Sequence, residues 1–266
     1  MPQNLLPRFA DIVRDTLRFD LSDSTETNPI LLETLDIRGK RISMVYAPFD
    51  HLNTKAKIAI VGMTPGSFQA DQAHRAAGSA LREGKSLQEA GRAAKVHASF
   101  SGEPMRTNLI RMMDAVGIAS FLGLGSTASL WSVNSDIVHF TSALRYPVFV
   151  DGKNWSGSPD IVRTPRLRAW LREFTGEELG TLRDCLIVPL GPKVGAAMDY
   201  LAEEGVIDGK WIMHGLPHPS GANQERIACF LGDKAGDRCS NKTNVSSIMA
   251  GRDRLIAKVL SLQQSG

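Results

Sequence analysis

Cysteine is scarce in this 266-residue chain: Cys185, Cys229 and Cys239 are the full set, and no two form a CxxC pair. So sparse and odd a set argues against a disulfide framework and points to a reducing compartment. Long apolar runs are missing too. The first twenty residues place Leu5, Phe9, Ile12, Val13 and Leu17 at helical spacing among charges. That suits an amphipathic helix rather than a signal peptide, and no later stretch is apolar enough to span a bilayer. The expectation is a cytoplasmic protein with no membrane partner, in which the Asn-x-Ser/Thr triplets at Asn154, Asn241 and Asn244 are silent. Neither charge sign dominates: 31 Lys and Arg against 28 Asp and Glu give +3. That balance allows a polyanionic partner without requiring one. No G-x-x-x-x-G-K-[ST] occurs, which excludes a P-loop. Gly123-Leu124-Gly125 imitates a dinucleotide fingerprint, but about twenty residues further on it offers Arg145 where an acid is needed.

What is present is an alternation of two periodicities. Short β-branched runs at 57–62, 136–142, 184–190 and 211–215 read as core strands. Helical patterns at 70–91, 108–117, 165–174 and 194–204 lie between them, and a further amphipathic stripe covers 245–262. Strands and helices in this order predict an α/β fold with right-handed crossovers, a parallel sheet and helices on both faces. A hairpin is expected at 35–37 and 41–46, turned at Gly39-Lys40. With no repeat, low-complexity tract or linker, residues 1–266 read as a single domain, and residues 1–50 as its helical and hairpin extension.

In an open parallel sheet the ligand sits beyond the carboxyl ends of the strands. The first such loop, V-G-M-T-P-G-S-F, carries Gly62, Met63, Thr64, Pro65, Gly66 and Phe68. Its glycines allow the backbone to approach a ligand closely, and Pro65 pushes Thr64 towards extended geometry. The last, L-P-H-P-S-G-A-N, holds His218 between two prolines, with Ser220 and Asn223 following. A His in so restricted a frame at a strand's C-terminal end reads as functional, although a lone His is more often structural. His214 does not complete a metal site, since the prolines prevent the helix an i, i+4 pair needs, and no further ligand lies nearby. Basic residues concentrate at 145–172, including Arg163 and Arg166, and at 226–242, including Arg226 and Arg238. Each cluster alone reads as solvated surface; together, after ligand-side loops, they suit phosphate contacts.

These pieces resemble the uracil-DNA glycosylase superfamily, and most of all its single-strand-selective monofunctional branch. That branch's Gly-Met-Asn-Pro-Gly-x-Phe motif is matched by Gly62, Met63, Thr64, Pro65, Gly66 and Phe68, with Gln72 four further on. Its His-Pro-Ser-x-x-Asn motif is matched by His218, Pro219, Ser220 and Asn223. The resemblance spans residues 56–230 and implies a three-layer α/β/α sandwich with a central four-stranded parallel sheet. It further implies a monomer acting on single-stranded or damaged duplex DNA, without metal or cofactor, that flips a base out and hydrolyses its N-glycosidic bond. His218 would then donate to the leaving base, and Phe100, or failing it Phe68, would stack on that base. Met63, Gly62 and Gly66 would line the pocket, with Ser142 at its reading edge. Ser220, Asn223, Arg163, Arg166, Arg226 and Arg238 would face DNA, and Ile227 would fill the vacated stack.

Two positions depart from the family pattern. Thr64 stands where relatives carry a water-orienting Asn or Asp, and Ser142 where they carry a base-reading Asn. A hydroxyl is a poor general base, and one donor reads an edge less strictly than an amide. The iron–sulfur branch is excluded, since it needs four ligating cysteines. The expected function is therefore a DNA-glycosylase-like hydrolase acting on uracil or a related deaminated or altered base. The alternatives are a non-catalytic nucleic-acid-binding relative and a nucleoside-cleaving hydrolase.

Overall fold

The computed structural model describes residues 2–265. The chain is an α/β fold. The parallel sheet is built from β3 (Ile58–Gly62), β4 (Val138–Ser142) and β7 (Leu186–Pro189), with β3 in the centre. All three strands are buried along their whole length, so they read as continuous apolar runs. The register pairs Ile58 with Val138 and Leu186, and Gly62 with Ser142.

Four parallel strands were expected; the fourth segment contributes a single bridge, Ile187 to Ile212. Two features shorten it. Asp208 caps a 3₁₀ turn at Gly209–Trp211 just before the bridge. Just after it, Gly215 adopts φ +128°, and a Cβ there would come within 2.6 Å of the Gly251 carbonyl. The chain thus bends away to pack on the last helix instead of extending.

A second, antiparallel sheet runs β1 (Leu31–Ile37), β2 (Lys40–Val45), β5 (Val148–Val150) and β6 (Lys153–Asn154). The hairpin near the N-terminus is therefore not free-standing. It pairs with a strand that begins a few residues after β4 ends.

Helix α1 (Leu6–Asp15) buries Phe9 and Val13, and α2 (Ser67–Arg82) and α3 (Leu87–Ala98) bury alanine stripes, in one core with Ala59, Val61 and Ile187 of the parallel sheet. The single helix expected at 70–91 is two, because Gly84 ends α2 and Ser86 restarts the chain in a capping box with Glu89. Helix α4 (Met105–Ala115) and the short α5 (Ile118–Phe121) belong to a second core on the opposite face, with Ile58, Ile60, Val138, Phe140, Leu186 and Val188. The first core also receives α6 (Pro165–Trp170), a π turn at Leu171–Gly176, α7 (Glu177–Gly180) and α8 (Pro192–Glu203). The second is closed by α9 (Gln224–Leu231) and α10 (Val245–Ser265). Among the described residues, no helix is long and apolar enough to cross a membrane.

Candidate functional site

At the carboxyl end of β3 the chain turns through Gly62–Gly66 and is stitched to its neighbour. Ala143 and Leu144 donate their N–H groups to the carbonyls of Gly62 and Met63, at 2.8 and 3.0 Å. Gly62 is required here by proximity. A Cβ on it would lie 3.0 Å from the Phe100 ring and 3.2 Å from Ser142 Oγ, so ring and hydroxyl converge over its backbone. Phe100 is itself held in the left-handed region at φ +50° and lies edge-on to Phe140, 5.9 Å between centroids. A non-glycine residue held so costs of order 1–3 kcal/mol, which the surrounding packing must offset.

Beneath them is a small cavity of about 20 Å³, lined by Phe100, Phe140, Ser142, Gln69, Thr141 and Arg145 among others. That volume suits a single water, and a flat ring would enter only after Phe100 lifts away. The cavity lies where the two faces of the sheet meet. Phe140 and Ser142 come from one side of β4, Thr141 from the other.

His218 sits two strands away, packed over Gly191. Its Nδ1 accepts the Ser220 N–H at 3.3 Å, which leaves the ring proton on Nε2. Burial lowers its pKa, so at neutral pH it is an uncharged donor. The loop is self-bracing: Asn223 donates to Ser220 Oγ at 3.1 Å, and Arg226 donates to Asn223 Oδ1 at 3.1 Å. Asn108 on α4, a residue the sequence reading passed over, donates to the Pro219 carbonyl at 3.0 Å and so anchors the whole turn.

His218 does not line the small cavity. It faces a groove of about 500 Å³ between α8 and α10, together with Asn223, Arg226, Lys242 and Arg254. Those three cations are exposed. The groove's acid, Asp199, lies 2.9 Å from His214.

Several expected site residues lie elsewhere or are occupied. The Thr64 hydroxyl donates to the Tyr146 carbonyl at 3.0 Å and accepts the Val148 N–H at 3.2 Å. It fastens the loop to the start of β5, which spends its one proton and one of its two acceptor lone pairs. Met63 is half-buried against the first core. Gly66, with an ordinary φ of −78°, serves as N-cap of α2, its N–H taken by Gln69 at 3.4 Å. Phe68 is 58% exposed and lines a different surface groove, beside Phe19, Phe149 and Lys153, because helix periodicity turns it outward. Arg166 forms a bidentate pair with Glu33 on β1, and Arg163 is an exposed residue of the loop before α6. Neither borders the His218 groove. Arg238 is exposed on a 3₁₀ turn. Ile227 is wholly buried in the second core, so it cannot act as a wedge.

Behind the cavity is a buried ionic cluster that the sequence did not announce. Glu178 accepts from Lys95 at 3.3 Å, Arg145 at 3.2 Å, His139 at 3.3 Å and Thr141 at 2.7 Å. Burial alone would raise the Glu178 carboxyl, but Lys95, Arg145 and His139 hold it far below the usual carboxylate range. Arg145 also donates to the Tyr146 hydroxyl, which donates to Asp50 at 2.6 Å. The charges balance, two cations against two carboxylates. Lone Lys, Glu, Arg and Asp in separate elements gave no periodic signal that could have shown them meeting. Among the described residues, no group of three or more His, Cys, Asp or Glu is placed to hold a metal ion.

The chain is 33% identical over 196 residues to the uncharacterized protein YoxB of Bacillus subtilis (strain 168), an alignment covering 73% of this chain and 76% of that protein. No family model matches. No solved structure matches either.

Proposed function

This chain belongs to the family of YoxB, and we propose that it is a DNA-glycosylase-like hydrolase of the uracil-DNA glycosylase type, acting on a deaminated or altered base. One observation carries the reading. Gly62, Phe100 and Ser142 converge at the carboxyl end of a parallel sheet, and a proline-clamped neutral imidazole stands two strands away. The arrangement of helices over both faces of that sheet, with Ile212 bridging as a remnant fourth strand, is in keeping with the three-layer sandwich of that superfamily. In this reading the base leaves the stack, displaces Phe100 and lies against its ring. The bond from C1′ to the base nitrogen breaks with its electron pair going to the base. The His218 Nε2–H hydrogen-bonds to the carbonyl oxygen on which that charge collects. Water supplies hydroxide to C1′ and its remaining proton to the departed base. Arg226, Lys242 and Arg254 hold phosphates along the groove.

With its proton spent and one lone pair taken, the Thr64 hydroxyl holds a water less well than an amide or carboxylate would, and base removal is slow. The test is base release from single-stranded oligonucleotides carrying uracil, hypoxanthine, xanthine or an oxidised pyrimidine. Release of at least one is expected, with His218→Ala at least about a hundredfold slower but binding DNA as before. An unchanged rate in His218→Ala, or no release of any base, overturns the enzymatic reading. The same Thr64 bonds favour a second reading, a non-catalytic nucleic-acid-binding relative. It would show salt-dependent binding with no base released, whereas a nucleoside hydrolase would ignore oligonucleotides.

A further inference from the structure

Cys229 and Cys239 are both free thiols, and the fold brings them together. Cys229 is buried on α9, while Cys239 is half-buried just past a 3₁₀ turn at Gly236–Arg238. The loop between them turns back on its own helix. Gly232 ends α9 at φ +81°, and the Lys234 N–H reaches the Ala228 carbonyl at 3.2 Å. Glu225 then gathers the returning chain, accepting from Lys234 Nζ at 2.6 Å, the Ser240 N–H at 3.1 Å and Thr243 Oγ1 at 2.6 Å. Glu225 and Cys229 stand one turn apart on one face of α9, and Ser240 is the neighbour of Cys239, so these bonds bring Cys239 beside Cys229. The two thiols share a hydrogen bond. The Cys239 S–H is aimed at the Ala235 carbonyl at 3.7 Å, so Cys229 is its donor. Cys185, by contrast, is buried in the first core, across the parallel sheet from α9.

We infer that Cys229 and Cys239 are a reversible dithiol–disulfide pair, closed by a peroxide and reopened by thiols, that clips the loop 232–242 to α9. A part-exposed thiol with a buried one beside it is the arrangement that lets a first oxidation be resolved as a disulfide. Cys239 attacks as thiolate: its sulfur takes an OH from hydrogen peroxide, the O–O bond breaks and hydroxide leaves. Cys229 then gives up its proton and attacks that sulfur, forming the S–S bond and expelling the second hydroxide. Two thiols lose two electrons and two protons, and the peroxide becomes two waters. Burial and the bond to Cys239 raise the Cys229 pKa, which suits it to the second step rather than the first. In a reducing compartment the bond is transient, a response rather than a framework. The clipped loop carries Lys242, so oxidation acts on a wall of the His218 groove without touching His218.

The experiment exposes the reduced full chain to a small excess of hydrogen peroxide, blocks free thiols with iodoacetamide and digests with trypsin without reductant. Cleavage after Arg226, Lys234, Arg238 and Lys242 puts Cys229 in peptide 227–234 and Cys239 in peptide 239–242. Mass spectrometry should find these two joined and two hydrogens lighter than their sum, at least about tenfold above any other cysteine pairing. Dithiothreitol should part them. Cleavage of the native protein after Lys234 and Arg238 should slow at least about threefold on oxidation, because the loop opens less often. In Cys229→Ser the peroxide should instead carry Cys239 on to sulfinic acid. Cys239→Ser, a change at a half-buried position, should leave Cys229 unoxidised, and it keeps the inference testable if Cys229→Ser does not fold. Wild-type Cys239 reaching sulfinic acid while Cys229 stays free overturns the pair, and so does a bond formed chiefly between two chains. A disulfide that leaves cleavage of the loop unchanged overturns the clip.

Discussion

The two faces of the parallel sheet are built on opposite terms. One carries Ile58, Ile60, Val138, Phe140, Leu186 and Val188 into a core of leucine, methionine and phenylalanine from α4, α9 and α10. The other carries Ala59, Val61 and Ile187, yet on the same strand β4 it also presents His139 and Thr141 to the buried carboxylate of Glu178. The apolar face draws its stability from area removed from water, which is divisible: losing one methylene loses one methylene's share. The charged face is indivisible. Each partner is bearable in the interior only while the others remain. At the end of β4 both sets of side chains reach one cavity, Phe140 and Ser142 from the apolar side and Thr141 from the charged one.

The comparison breaks most sharply at Glu178. Glu178→Gln leaves Lys95 and Arg145, both fully buried, without their carboxylate. Removing one partner of a buried ion pair typically costs about 3–5 kcal/mol. The denaturant midpoint at pH 7 should fall accordingly with an unchanged m-value. A loss under about 1 kcal/mol would show that the cluster is not coupled as its geometry implies.

The difference between the faces also decides what the sequence could reveal. Continuous apolar runs such as Ile58–Val61 and Leu186–Val188 announced buried parallel strands, and the proline frame of His218 announced a fixed loop. The Glu178 cluster was invisible because charged residues scattered over α3, α7 and the loop after β4 look like solvated surface until topology folds them inward. Phe68 stands second to Phe100 as the expected stacking ring; helix phase turns Phe68 to solvent, whereas Phe100 is pressed against Gly62. Thr64 reads from its residue type as a poor base, and its bonds to Tyr146 and Val148 depend on β5, which no local pattern marked. Arg163 and Arg166 were counted by proximity in sequence. The Glu33 partner of Arg166 comes from the other end of the chain.

Acid should act on the first core before the second. His74 Nε2 donates to the Tyr46 carbonyl at 3.0 Å, while its buried Nδ1 has no partner. Burial holds its pKa at about 4; at His51 burial, with Lys95 next in weight, does the same, to about 4. In the unfolded chain both titrate near about 6.5. The unfolded state therefore binds more protons between these values, and stability declines as pH falls from about 6.5 towards about 4, with no further loss from these groups below that. Two such residues give a loss of about 2–3 kcal/mol between pH 7 and pH 5.5. Chemical denaturation at the two pH values measures it; a flat profile would contradict the buried, neutral state of both imidazoles.

The smallest effect gives the cleanest contrast, since it can be read from adjacent strands with nearly isosteric changes. Ile60 on β3 is fully buried in the apolar core. Ile60→Val deletes one methylene there and should cost about 0.5–1.5 kcal/mol, less where neighbours relax into the space. Thr141 pairs with Val61 across the β3–β4 ladder and donates to Glu178 at 2.7 Å. Thr141→Val keeps the shape but withdraws a hydrogen bond from a buried carboxylate, and bonds to charged groups contribute about 1.5–3 kcal/mol. Although it removes less volume, Thr141→Val should therefore be the more damaging of the two. Combined with Glu178→Gln it should add almost nothing, because the bond it breaks has already lost its charge, whereas Ile60→Val should add its full cost to either. Denaturant midpoints of the three single variants and their pairwise combinations decide the matter. If Thr141→Val and Glu178→Gln are additive, the charged face is a set of independent contacts like the apolar one, and the proposed difference between the two faces does not hold.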